Sequence, residues 1–200
     1  MAIALDVLTG AAVEPMLPDI ARLRIKVFRD FPYLYDGSLG YEREYLSALA
    51  TAPGAVIVAV RDAGRIVGAS TGLPLAAEHA AFRDPVARAG IDVGSVFYCA
   101  ESVLEPDYRG RGFGHAFFDA REAHARALGF RCSTFCAVIR PADHPARPPD
   151  YRPLDSFWLK RGYAPVPGLV ASYSWRDLGA EEETTKELQF WMKALDSMML

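Results

Sequence analysis

From Val96 to Leu104 the chain reads as a strand. It then passes Pro106, runs through Arg109-Gly110-Arg111-Gly112-Phe113-Gly114 and enters a helical pattern at once. This succession of strand, glycine loop and helix constrains the fold more than any other feature of the 200 residues. Glycines without Cβ let consecutive backbone N–H groups converge, and a helix N-terminus adds positive potential. Together they make a site for a phosphate or pyrophosphate, to which Arg109 and Arg111 would add charge-assisted hydrogen bonds. Two common nucleotide loops are excluded by the residues themselves. GxxxxGK[ST] needs a Gly-Lys pair followed by Ser or Thr, which is absent. GxGxxG meets His115 at its last glycine when counted from Gly110, and Phe117 when counted from Gly112.

Around the loop, residues 3–8 read as a short strand. Ile20, Leu23, Val27 and Phe31 recur at three- and four-residue steps and predict a helix over 17–31, ended by Pro32. The turn-rich PYLYDGSLGY leads to a second helix over 41–49, closed by Pro53-Gly54. The run AVIVAV (55–60), the turn Asp62-Ala63-Gly64 and RIVGASTGLPL read as a β-hairpin. Residues 76–90 read as helical or irregular, interrupted by Pro85. A helix over 113–128 places Phe113, Phe117, Ala120 and Leu128 on one face and stops at Gly129. A strand over 132–139 follows, then a stiff loop through Pro141, Pro145, Pro148, Pro149 and Pro153, long enough to be functional. A short helix over 154–160, a strand over 170–175 that closes the sheet, and a further strand or helix in TTKELQFWMKAL complete the chain. Early hairpins followed by strand–helix–strand predict a mixed α/β fold rather than a doubly wound one. Residues 1–200 show no repeat and no boundary, which predicts a single domain.

What remains for the glycine loop is R-x-x-G-x-G, followed at a distance by Phe157-Trp158-Leu159-Lys160-Arg161-Gly162-Tyr163. Over residues 55–175 this resembles the GCN5-related N-acetyltransferase (GNAT) superfamily. The resemblance implies a central, mostly antiparallel, splayed sheet flanked by helices. It implies acetyl-CoA, or a related acyl-CoA, as cosubstrate. Ser102, Val103 and Leu104 would pair with the pantetheine arm like an added strand, and Arg109, Gly110, Arg111, Gly112, Phe113, Gly114 and His115 would wrap the pyrophosphate. The implied reaction is transfer of an acetyl group to a primary amine, by direct attack in a ternary complex. A degenerate fold that binds acyl-CoA without turnover is the alternative, favoured by Trp158 alone.

Acetyl transfer to an amine asks for a proton acceptor, a polarised thioester and a leaving thiolate. Glu101 is the first candidate base. It lies in an otherwise apolar strand on the same face as Val103, where a carboxylate is desolvated. A salt bridge, or an anchor for the substrate ammonium, is the equal alternative. Glu105 reads as a solvated loop residue, and Asp143 and His144 as weaker base candidates. Many members of the family place a tyrosine acid where this chain has Trp158, whose indole N–H is not a practical acid. Tyr151 stands first among the replacements, ahead of Tyr98 and Tyr163, although a thiolate can also leave without an acid. The family builds its acceptor slot partly from the first helices. Here Tyr33, Tyr35, Asp36, Tyr41 and Glu42 would form an aromatic and acidic cup for a cationic amine, either a small molecule or a peptide N-terminus.

Composition removes other classes. Lys and Arg number 22 against 25 Asp and Glu, a formal net charge of −3, so no global positive field exists to hold nucleic acid. No apolar run approaches the roughly 18 residues of a membrane span, and the first residues lack a basic n-region. His79, His115, His124 and His144 form no HxH or HExxH, so no metal site is predicted. A GxSxG elbow is absent too. Cys99, Cys132 and Cys136 make no CxxC and no disulfide framework. They read as small hydrophobes in a cytoplasmic protein, with no His spaced to activate an acyl-enzyme. Exposed strand ends and the aromatic pair Phe190 and Trp191 suggest a homodimer.

Overall fold

The computed structural model describes residues 3–195. Its elements are β1 (Ala4–Leu8), α1 (Leu17–Phe28), α2 (Leu39–Thr51), β2 (Val56–Asp62), β3 (Arg65–Pro74), α3 (Ala80–Arg88) and β4 (Val96–Leu104), then α4 (Phe113–Ala127), β5 (Cys132–Val138), α5 (Asp155–Lys160), β6 (Ala164–Arg176) and β7 (Glu183–Ala194). The strands form one sheet in the order β1-β2-β3-β4-β5-β7-β6. Every neighbouring pair is antiparallel except β4 with β5.

Helices cover both faces of the sheet, which explains the unbroken apolar run of β2. Ile57 enters the core beneath α1 and α2, while Val56, Val58 and Val60 enter the core that Phe117, Phe118 and Ala125 of α4 complete. The buried face of α4 is Phe117, Phe118, Arg121, Glu122 and Ala125. Leu128, expected on that face, is 47% exposed beyond the helix end. Helix α1 stops at Phe28, three residues before the expected end. The Asp30 carbonyl accepts from the N–H groups of Tyr33 and Leu34, so a turn begins before Pro32 is reached.

TTKELQFWMKAL is a strand, and it lies between β5 and β6 rather than outside them. Strand β6 is therefore an edge. Phe190 and Trp191, read as a dimer surface, are 0% and 5% exposed inside the sheet and offer none.

Two irregularities shape the middle of the sheet. Strands β4 and β5 pair only through Val96–Cys132, Phe97–Ser133 and Tyr98–Thr134. Beyond Tyr98, β4 follows β3 and β5 follows β7, so the two diverge. The edge of β4 from Cys99 to Leu104 faces no strand on that side. Strand β4 also carries a bulge: Glu101 stands opposite Thr71 and Tyr98 opposite Leu73, three steps on one strand against two on the other. An extra residue shifts the alternation of side chains. Tyr98 and Glu101 consequently line the same cleft.

Candidate active site

The glycine loop lies where the splay opens. Gly110 and Gly112 adopt φ of +75° and +87°, a left-handed backbone that costs other L-residues about 1–2 kcal/mol. Gly112 is the N-cap of α4 and has no neighbour within 4 Å of a Cβ position. The first intrahelical acceptance is Ala116 N–H to the Gly112 carbonyl, which leaves the N–H groups of Phe113, Gly114 and His115 without helical acceptors. Arg109 is half exposed; its Nε donates to the Leu104 carbonyl at 3.2 Å, tying loop to strand end. Arg111 lies over the Tyr108 ring. Donors, open space and exposed cations suit a pyrophosphate here, and the free edge of β4 suits an extended arm beside Ser102, Val103 and Leu104.

The second motif is fastened to this loop. Arg161 pairs with Asp119 and Glu122 of α4 at 2.6 and 3.1 Å, and its Nη1 lies 3.2 Å from His115 Nδ1. Gly162, at φ +85°, ends α5, and Tyr163 is buried 2.8 Å from Ser133 Oγ. Burial alone would raise the Glu122 carboxyl, but Lys193 and Arg161 outweigh it and hold it below the ordinary range.

On the opposite face of the sheet, beneath α1 and α2, lies an aromatic cleft of about 710 Å³. Tyr33, Tyr35, Asp36 and Tyr41, four of the residues expected in the acceptor cup, all line it. Glu42, the fifth, is fully buried behind it on α2. Tyr45, one turn beyond Tyr41, stacks on it with centroids 6.5 Å apart. Phe82 of α3 and Tyr173 of β6 close the far side, 5.3 Å apart.

A charge cluster sits at the cleft's inner end. Arg24 of α1 is 6% exposed; it pairs with Glu42 at 2.5 Å and with Glu101 at 2.5 Å. Tyr45 donates to Glu101 at 2.9 Å. Burial opposes the charge on Arg24, yet Glu101, Tyr45 and Glu42 together hold it firmly protonated. Burial, then the Glu101 charge, likewise keeps the Tyr45 phenol protonated. Beneath the bulge, the buried Arg121 donates to the carbonyls of Thr71 and Glu101 at 3.1 and 3.0 Å, pinning the backbone that presents Glu101.

The structure does not bring every candidate to this place. Tyr151 lines a second cleft with Trp158, edge-on to Phe31 at 4.7 Å. His144 packs on Phe31, and Asp143 is exposed. Tyr163 lies under the sheet and Trp158 packs on Phe135 and Trp191. Glu105 is not solvated as expected: it is 8% exposed and bridged by Lys26 and Arg65. Of the tyrosines weighed as acids, Tyr98 lines the aromatic cleft. Residues the sequence reading missed are Arg24, Tyr45, Glu78 and Tyr173. Arg24 carried a signal, being a charge one turn after Ile20 on the apolar face of α1; Glu78, beside His79 in an alanine-rich stretch, carried none.

A sequence profile of the acetyltransferase (GNAT) family matches residues 20–148. No curated protein matches the chain. Among solved structures, the ribosomal-protein-alanine N-acetyltransferase of Brucella melitensis superposes with a TM-score of 0.61 at 12% identity, over 96% of this chain and 99% of that one. The yncA protein of Salmonella typhimurium, whose structure holds its cofactor acetyl-CoA, gives 0.59 at 12% identity, covering 98% and 97%. The PaiA N-acetyltransferase of Thermoplasma acidophilum, in complex with coenzyme A, gives 0.57 at 11%, covering 97% and 99%. At such identities these likenesses speak for the fold. With the splayed sheet, the bulge and the glycine loop, and a profile match over more than half its length, the chain belongs to the GNAT acetyltransferase family.

Proposed function

We propose that this protein transfers an acetyl group from acetyl-CoA to a primary amine held in the aromatic cleft, by direct attack in a ternary complex within one domain. The observation that carries the reading is the splay itself. It joins the free edge of β4 and the glycine loop on one side to a cleft lined by Glu101 on the other. In this reading the N–H groups of 113–115 and the cations Arg109 and Arg111 hold the pyrophosphate. The free edge at Ser102, Val103 and Leu104 receives the pantetheine arm. When bound, the cosubstrate supplies the activated acyl group; the protein's part is alignment, charge placement and proton removal.

The cleft favours a cation. Its lining holds the carboxylates of Asp36, Glu78, Glu101, Glu181 and Glu183 against the guanidinium groups of Arg24 and Arg176, and tyrosine faces attract an ammonium. In this reading Glu101, held by Arg24 and Tyr45, anchors that ammonium beside the bulge. Trp158 packs on Phe135 and Trp191 at the second cleft, where Tyr151 also lies, so no side-chain acid is assigned and the thiolate leaves as such. The test is release of free thiol from acetyl-CoA across a panel of primary amines. Compact aryl and alkyl amines should react and amino-acid acceptors should react less. Intersecting double-reciprocal lines are expected; parallel lines would point to an acyl-enzyme instead. Glu101→Gln should raise KM for the amine by at least tenfold, as expected for loss of a charged contact.

A further inference from the structure

The cleft holds one carboxylate that the anchoring just described does not use. Asp36 is bound by Arg29 and Arg176, Glu101 by Arg24 and Tyr45, and Glu181 and Glu183 are exposed. Glu78, just before α3, is 9% exposed and lines the same cleft. Its Oε1 accepts from the His79 N–H at 2.8 Å, and among the described residues it has no ion-pair partner. A buried carboxylate without a counterion costs stability, so its place is explained by chemistry better than by packing. We propose that Glu78 is the catalytic proton acceptor, taking the ammonium proton of the amine directly or through one water while Glu101 holds the cation. The proposal rests on the acetyl-transfer reading above.

The surroundings suit that role. Burial pushes the Glu78 carboxyl up to about 7; the His79 N–H pulls against it, Glu101 adds to the rise, and Arg24 lowers it least. Tyr45 of α2, Tyr98 of β4 and Cys136 of β5 also feel the Glu78 charge, and burial is the main reason all three stay protonated. His79 lines the cleft beside it, its Nδ1 accepting from the Ala81 N–H and its ring edge-on to Tyr173. The other carboxylates at the inner end, Glu42 and Glu101, are committed to Arg24, so Glu78 is free to exchange a proton near neutrality.

The step balances as follows. The ammonium gives one proton to Glu78 and becomes a neutral amine, whose lone pair forms the C–N bond as the C–S bond breaks. The sulfur leaves as thiolate and takes the second nitrogen proton, and Glu78 returns its own to solvent. One proton is released per turnover.

The experiment is a pH profile of kcat/KM with tyramine and acetyl-CoA for wild type and Glu78→Gln. The active form of wild type pairs ionised Glu78 with the ammonium. Its profile should therefore rise with unit slope to about pH 7 and then level. Glu78→Gln must await the free amine. It should be lower by about 10²–10⁴ at pH 7 and keep rising towards the pKa of tyramine. Glu78 is raised in the fold, so its charge weakens the protein above its unfolded value, fully so above about 7. Glu78→Gln should accordingly melt no lower than wild type at pH 8 and bind acetyl-CoA unchanged. A wild-type profile with no bend near 7, or a variant with wild-type rate and profile, overturns the role of Glu78 while transfer stands. Acetyl-CoA binding with no transfer to tyramine or the amine panel overturns both readings.

Discussion

Arg24 carries more of the site than any other single side chain. It is buried between two carboxylates, Glu42 and Glu101, and removing it leaves both without a counterion. Arg24→Ala should destabilise the fold by about 3–5 kcal/mol, read by urea unfolding. Gly112 acts through its backbone instead. At φ +87° with open space around it, Gly112→Ala should cost about 1–2 kcal/mol through backbone strain alone and weaken acetyl-CoA binding together with it. If the variant unfolds like wild type, the left-handed N-cap is not needed. The glycines, Glu101 and the tyrosines of the cup were legible in the sequence because each is an unusual residue for its setting. Glu78 was not, because only the folding of α3 against the sheet puts an ordinary glutamate in a cleft.

At the scale of elements, the segment between α1 and α2 is held from across the molecule. Arg140, just beyond the end of β5, makes a two-pronged pair with Asp177 at 2.9 and 3.0 Å and donates to the carbonyls of Pro32 and Tyr33 at 2.8 Å each. Those contacts set Tyr33 and Tyr35 as a wall of the cleft. Arg140→Ala should raise KM for the amine by roughly tenfold, the equivalent of one charged hydrogen bond, while leaving acetyl-CoA binding unchanged; an effect on both would place the clamp elsewhere. The element boundaries followed from local signals where the pattern was strong: β4 falls at 96–104 as expected. Helix α1 ended early because an Asp30 turn, a local backbone preference, acted ahead of the proline. The position of β7 was hidden, since pairing between distant strands leaves no local trace.

Over the whole molecule, a sheet that splays between two parallel strands joins a glycine loop with free backbone donors to an acidic, aromatic cleft. The loop and its helix were readable because they are contiguous in sequence. The cleft was only half readable, because α1, α2, β4, β6 and the segments before α2 and α3 each contribute some of its residues. The most direct measurement is calorimetric titration of acetyl-CoA and of free coenzyme A into wild type and the double variant Arg109→Ala/Arg111→Ala. Wild type should bind both saturably, and loss of two charged contacts should weaken binding by about a hundredfold or more. If folded wild type binds neither, the loop is a turn between strand and helix, and acetyl transfer is not what this site performs.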